Sequence, residues 1–297
     1  MVNAYPSVFF VDSVPYYETI SAMAKFYCDS LDSGKKITND FVTEFLAAPE
    51  EKYSVEKYGD EDLIKCRAKP EATREQILDY IKPVELLTPG SDRFFKGYSD
   101  YEPGTNFIYS NFGCGLLACI AEKITGIYFP EYIKQVLLHP LEIYSGFRLE
   151  DLKEPENLVS HYQYKDNQFK LYRNYELFKE VQCLKYPIGD NFRGVAGGLY
   201  ISAENLAKIM IMLMNKGIYK DIRILNEETV QEMEKVQWSG NPTDPTYKKK
   251  GLQMIIMDEF TKDPLYGHFG NAYGLRSFML YNKNGGLIFL CNGANFL

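Results

Sequence analysis

The chain has 297 residues, 45% of them hydrophobic and 15% aromatic, enough to bury a sizeable core as one enzyme-sized unit. Its 33 basic side chains face 40 acidic ones for a net charge of −7, a balance that offers no cationic footprint and excludes nucleic acid as the expected partner. A small molecule or a peptide fits better.

From Met1 to Val14 there is no basic start, and the longest apolar run, Val8 to Val11, is too short for a signal-peptide core. No run approaches the roughly 20 apolar residues of a membrane span, so the chain as written is expected to be cytoplasmic, with no membrane segment. Thr38 can cap a helix from Asn39 to Ala47, Pro49 to Lys69 is a charged stretch, and Thr73 with Gln76 forms a capping box ahead of Ile77 to Ile81. Between Gly113 and Lys123 the spacing of Leu116, Leu117, Ile120 and Ile124 predicts a buried central helix stopped by Gly126. A short helix over Pro130 to Leu138 follows. Ser202 caps Ala203 to Asn215, which Gly217 ends, and Asn226 opens another helix with Glu227 and Glu228 in its first turn.

Gly240 to Lys250 reads as a long surface loop, and Leu265 to Phe269 as a short extended piece. Leu275 to Tyr281 and Leu287 to Cys291 form an antiparallel hairpin around the turn cluster Asn282 to Gly286. A helical block followed by antiparallel strands predicts an α+β fold. Six scattered cysteines (Cys28, Cys66, Cys114, Cys119, Cys183, Cys291) show no C-x-x-C spacing, so neither a zinc site nor a disulfide framework is predicted, and no cofactor is expected.

Three blocks carry chemistry. Pro103-Gly104-Thr105-Asn106-Phe107-Ile108-Tyr109-Ser110-Asn111 places a Y-x-N ahead of the central helix. Gly194-Val195-Ala196-Gly197-Gly198 leads into the helix at Ala203, and Gly267-His268-Phe269-Gly270-Asn271 lies on an extended segment. In this order they resemble the motifs of the serine β-lactamase and penicillin-binding protein superfamily, with class C β-lactamases, D-alanyl-D-alanine carboxypeptidases and esterases among its members. The resemblance runs from about Pro70 to Phe296. It implies a β-lactamase/transpeptidase-like fold in a single domain over 1–297, with a helical lobe over about 36–235 and an antiparallel sheet over about 250–297 joined by the N-terminal segment.

In that resemblance Tyr109 is the acid/base partner, Asn111 holds the substrate amide, and His268 stands where the third motif usually has lysine. Backbone groups around Gly270 and Asn271 complete the oxyanion hole. Asn111 could equally be a helix N-cap, and His139 and His161 read as structural. Ile20 to Tyr27, closing towards Gly34, resembles the family's nucleophile helix, but the motif S-x-x-K ahead of it departs from the pattern: Ser13-Val14-Pro15-Tyr16 stands in its place, with tyrosine where the lysine should be. Ser33 to Lys36 and Ser54 to Lys57 match the string literally, at a frequency that chance explains. The N-terminal strands and the C-terminal helix of the superfamily are expected to be missing, and a partner or a second copy would then cover the incomplete sheet. These residues predict a β-lactamase-related serine hydrolase-like protein with impaired or absent catalysis, its ancestral substrate a β-lactam, a D-alanyl peptide or a small ester. The alternative is a non-catalytic ligand-binding or interaction protein that reuses the same cleft.

Overall fold

The computed structural model describes residues 87–88, 90–91, 105–176, 187–192, 195–242, 245–272 and 274–293. The predicted helices over Ile20 to Tyr27, Asn39 to Ala47 and Ile77 to Ile81 lie outside the described residues, as do the expected losses at both termini. The chain divides into two compact units, the first holding 14–133 and 183–196 and the second 134–182 and 197–297, apart from a few residues near the start.

In the first unit the apolar spacing after Asn111 becomes α1 (Asn111–Thr125). Ser110 caps it, its side-chain oxygen accepting a hydrogen bond from the Gly113 amide at 2.9 Å, and Gly126 ends it in the left-handed conformation that favours glycine. The cap therefore belongs to Ser110, and Asn111 is the first helical residue. Leu116 and Cys119 form a buried cluster with Leu87, against which Phe112, Ile120 and Phe192 pack. α2 (Phe129–Ile133) follows in the same unit.

The second unit begins with a π-helical turn, Lys134–Leu138, whose wide pitch is visible in the hydrogen bond from the His139 amide to the Lys134 carbonyl five residues back. The helix predicted over Pro130 to Leu138 is thus two differently wound pieces. A hairpin that the sequence reading did not foresee follows, β1 (His161–Lys165) and β2 (Gln168–Arg173). It turns on Asp166 and Asn167, both at positive φ (53° and 62°), the conformation of a type I′ turn.

The Ser202 side chain accepts from the Asn205 amide and starts α3 (Ala203–Met214), which ends at Asn215. Beyond it come the small ribbon β3 (Ile218–Tyr219) and β4 (Ile222–Arg223), and then α4 (Glu227–Glu234), opened by Asn226 without a side-chain cap bond. The main sheet is an antiparallel meander of β5 (Trp238–Ser239), β6 (Lys249–Lys250), β7 (Ile255–Met257), β8 (Leu265–Ala272), β9 (Leu275–Asn282) and β10 (Gly285–Cys291), each strand beside its neighbour in sequence. Two expectations need correction. The presumed loop 240–250 carries a sheet strand at its end, and the short extended piece at 265 is a full strand of eight residues inside the sheet. Asn282 pairs with Gly285, so the five-residue turn cluster contracts to a two-residue turn.

Helix α3 packs on β9 and β10. Gly286 makes room for it: a β-carbon there would come within 2.4 Å of the Met210 sulfur. Helices with an antiparallel sheet make the fold α+β, as the sequence pattern predicts.

Candidate functional site

In the first unit the site residues are those that enter α1. Ser110 is in extended conformation and its hydroxyl is occupied by the cap. Tyr109 and Asn111 on either side of it are both exposed, Tyr109 by 47%. The Y-x-N string thus holds its middle residue fixed while two polar side chains remain accessible at the start of a buried helix.

Eleven residues along α1 lies a group the sequence reading missed. Glu122 is fully buried, and three N–H donors meet its carboxylate: the Phe129 amide at 3.0 Å, the Gly189 amide at 2.8 Å and the Asn191 side chain at 2.9 Å. Burial pushes its carboxyl up to about 7; the Asp190 charge adds to the rise, and the three hydrogen bonds oppose it. Lys123 and Asp190 are buried beside it. A signal was present: Gly115, Cys119 and Glu122 recur at helical spacing, so Glu122 continues the small-residue stripe that faces inward.

In the second unit His268, Gly270 and Asn271 lie on β8, and their register on β9 sets which way each one faces. Tyr266 opposes Tyr281, His268 opposes Met279 and Gly270 opposes Ser277, so these share one face, while Phe269 and Phe278 share the other. Phe269, Phe278 and Phe289 form an aromatic row there, with ring centroids 5.9 and 5.4 Å apart. On the His268 face, Tyr281 is buried and Ala272 is exposed, so the strand runs from core to open surface through His268 and Gly270. A β-carbon on Gly270 would lie 2.2 Å from the Ser277 hydroxyl, and glycine therefore keeps the strip beside the imidazole bare.

Along β8, strand β7 pairs only with Leu265, Tyr266 and Gly267. From Phe269 to Ala272, β9 is the only partner among the described strands, and alternate backbone amides and carbonyls there point away from it. Such an edge can hold an extended substrate or an oxyanion. Burial, followed by the positive charge of Lys250, holds the His268 imidazole below its ordinary value of 6.5, and a bond with the Phe269 backbone opposes this. A neutral imidazole is therefore favoured.

Tyr109 and Asn111 thus come together at one helix start, and His268, Gly270 and Asn271 along one strand. Ser13 lies outside the described residues, with Ser33, Ser54 and Gly194. Among the described residues no group of three or more His, Cys, Asp or Glu could hold a metal ion, Cys114, Cys119 and Cys291 are free thiols, and no single helix is long and apolar enough to cross a membrane.

The chain is 28% identical over 239 residues to an N-acetylmuramyl-L-alanine amidase of Bacillus subtilis (strain 168), a match covering 71% of this chain and 49% of that protein. It is 24% identical over 228 residues to the human serine beta-lactamase-like protein LACTB, mitochondrial, covering 70% of this chain and 37% of that one. The chain therefore spans about half the length, or less, of these curated relatives. Among solved structures, the octameric penicillin-binding protein homologue of Pyrococcus abyssi superposes with a TM-score of 0.53 at 22% identity, covering 86% of this chain and 60% of that chain; this likeness concerns the fold. The Beta-lactamase family model matches residues 54–296, a span that takes in every element from α1 to β10, and the chain belongs to that family of serine β-lactamase and penicillin-binding protein relatives.

Proposed function

We propose that this protein is a serine hydrolase-like member of its family with impaired or absent catalysis, built on a site for a β-lactam, a D-alanyl peptide or a small ester. The observation that carries the reading is the edge of β8. From Phe269 to Ala272 its partner among the described strands is β9 alone, next to the His268 imidazole, for which the neutral form is favoured, and a glycine strip with no side chain. An acyl substrate laid along that edge would receive backbone hydrogen bonds near Gly270 and Asn271; the family resemblance gives Tyr109 the role of proton carrier and Asn111 that of holding the substrate amide. Ser13 would be the nucleophile. Tyr16 stands in place of the motif's lysine, and losing that lysine as the proton acceptor costs several orders of magnitude in rate.

A fluorescent penicillin and a fluorophosphonate test this directly. Neither is expected to label the protein above a denatured control; stoichiometric labelling that disappears in Ser13→Ala would overturn the assignment. The second reading, a binding protein without chemistry, draws on the exposure of Tyr109 and Asn111. It predicts a thermal shift with D-alanyl-D-alanine peptides, since ligand at 100 times its dissociation constant adds about 2.7 kcal/mol of stability. We include in this proposal a second copy or a partner over β10, whose Leu287, Phe289 and Leu290 are exposed.

A further inference from the structure

Glu122 is an expensive group to bury, and none of the chemistry described above uses it. Its position in the first unit gives it a task. The carboxylate joins three stretches of chain: its own helix, the start of α2 through the Phe129 amide, and the 187–192 segment through Gly189 and Asn191. That segment then lies along α1. The Asn191 side chain also donates to the Pro187 carbonyl at 3.1 Å, holding the segment in a turn around the acid. Phe192 follows at once, its ring edge-on to Phe112 with centroids 5.4 Å apart. Its carbonyl approaches α1 so closely that a β-carbon on Gly115 would stand 2.2 Å away. Phe112 adjoins Asn111 in the first turn, roughly 16 Å along the helix from Glu122.

We propose that Glu122 is the positioning residue of the Tyr109–Asn111 turn, its carboxylate latching the 187–192 segment along α1 so that Phe192 buttresses Phe112 beside Asn111. The proposal rests on Tyr109 and Asn111 being site residues. The coupling it asserts, however, is internal to the first unit and can be measured without ligand or activity. Among the described residues, the charged and titratable groups around the acid are Lys123 and Cys119 on its own helix and Asp190 on the latched segment; α2 presents the Phe129 amide.

The test is a pH titration by NMR of the full chain, labelled so that the Glu122 and Asp190 side-chain carboxyl carbons and the backbone amides of Asn111, Phe112 and Gly113 are followed together. In the wild type the three amides should shift with the same midpoint as the Glu122 carboxyl and not with that of Asp190. In Glu122→Gln that shift should vanish. Asn191→Ala, which keeps the acid but removes a donor that stabilises its ionised form, should raise the Glu122 midpoint and abolish the magnetisation transfer between the Phe112 and Phe192 rings; it also serves if the glutamine variant does not fold. Gly115→Ala should remove the same ring contact while leaving Glu122 able to titrate. Amides that stay flat through the Glu122 midpoint, or a Phe112–Phe192 contact unchanged in Asn191→Ala, would overturn the proposal. The failure of any ligand to bind would count against the assigned function and leave this coupling standing.

Discussion

Replacing Glu122 by glutamine separates two energies that the native acid combines. A carboxyl raised from 4.5 to about 7 holds its proton in the folded chain where the unfolded chain has lost it. The folded state therefore binds more protons between those values, and stability falls as pH rises through that window, being fully present below 4.5. For a fully buried group the shift amounts to about 3 kcal/mol. Glutamine does not titrate, but its one oxygen can replace only one of the two that the three donors use. If it accepts from Gly189 and Asn191, its NH2 group faces the Phe129 amide, and an unpaired buried donor costs about 1–3 kcal/mol. Glu122→Gln should therefore be less stable than wild type at pH 4, and the gap should close by about 3 kcal/mol on going to pH 8. His268 titrates in both chains, and its effect cancels in the difference. Urea unfolding followed by far-ultraviolet circular dichroism is the assay, because Trp238, the one tryptophan, belongs to the other unit. A gap of the same size at both pH values would refute the reasoning.

Three further outcomes follow from the second unit. Gly267→Ala would put a β-carbon 1.8 Å from the Met279 carbonyl oxygen, a backbone clash inside the sheet expected to cost about 3 kcal/mol or more; a Trp238 fluorescence unfolding curve like that of the wild type would show that the strands slide apart freely. Burial and Lys250 depress the His268 imidazole, so its ring should titrate below 6.5 and move upward in Lys250→Met, and the stability it contributes is present above 6.5 and lost as pH falls. A Lys250→Met spectrum with an unmoved His268 midpoint would exclude the electrostatic part. Ser202→Ala removes the cap bond to Asn205 and should cost about 1 kcal/mol, read as faster amide exchange in the first turn of α3.

The sequence made α1 and α3 legible because each carries a cap, an apolar face and a stop within some fifteen residues. The hairpin of β9 and β10 was legible for the same local reason. β1 and β2 escaped although the alternation was there, Tyr162 and Tyr164 against Phe169 and Leu171, because Asp-Asn is a weaker turn signal than Asn-Gly. Strand β8 runs past the predicted end at Phe269 to Ala272, since Gly270 and Asn271 look like loop residues until a neighbouring strand gives their backbone a partner. The candidate site divides in the same way. Tyr109, Asn111 and His268 could be picked from short strings, whereas Glu122 depends on donors at 129, 189 and 191, and a buried acid cannot be told from a solvated one until those segments are folded against it. Lys250, in a run of three lysines, is buried while Lys248 and Lys249 reach surface acids, a distinction that composition does not contain.

The meander has a consequence for how the sheet is assembled. Its six described strands lie side by side in the order in which they leave the ribosome, so each closes a short loop onto its predecessor and the search among them stays local. Errors would propagate just as readily, because a strand laid down one residue out of step would pass the slip to those added after it and turn the imidazole at 268 to the opposite side. A slip of one residue would also bring the β-carbon of Tyr266 or His268 to the place where one on Gly267 would stand 1.8 Å from the Met279 carbonyl oxygen, so a single glycine biases β8 and β9 towards the alignment they hold.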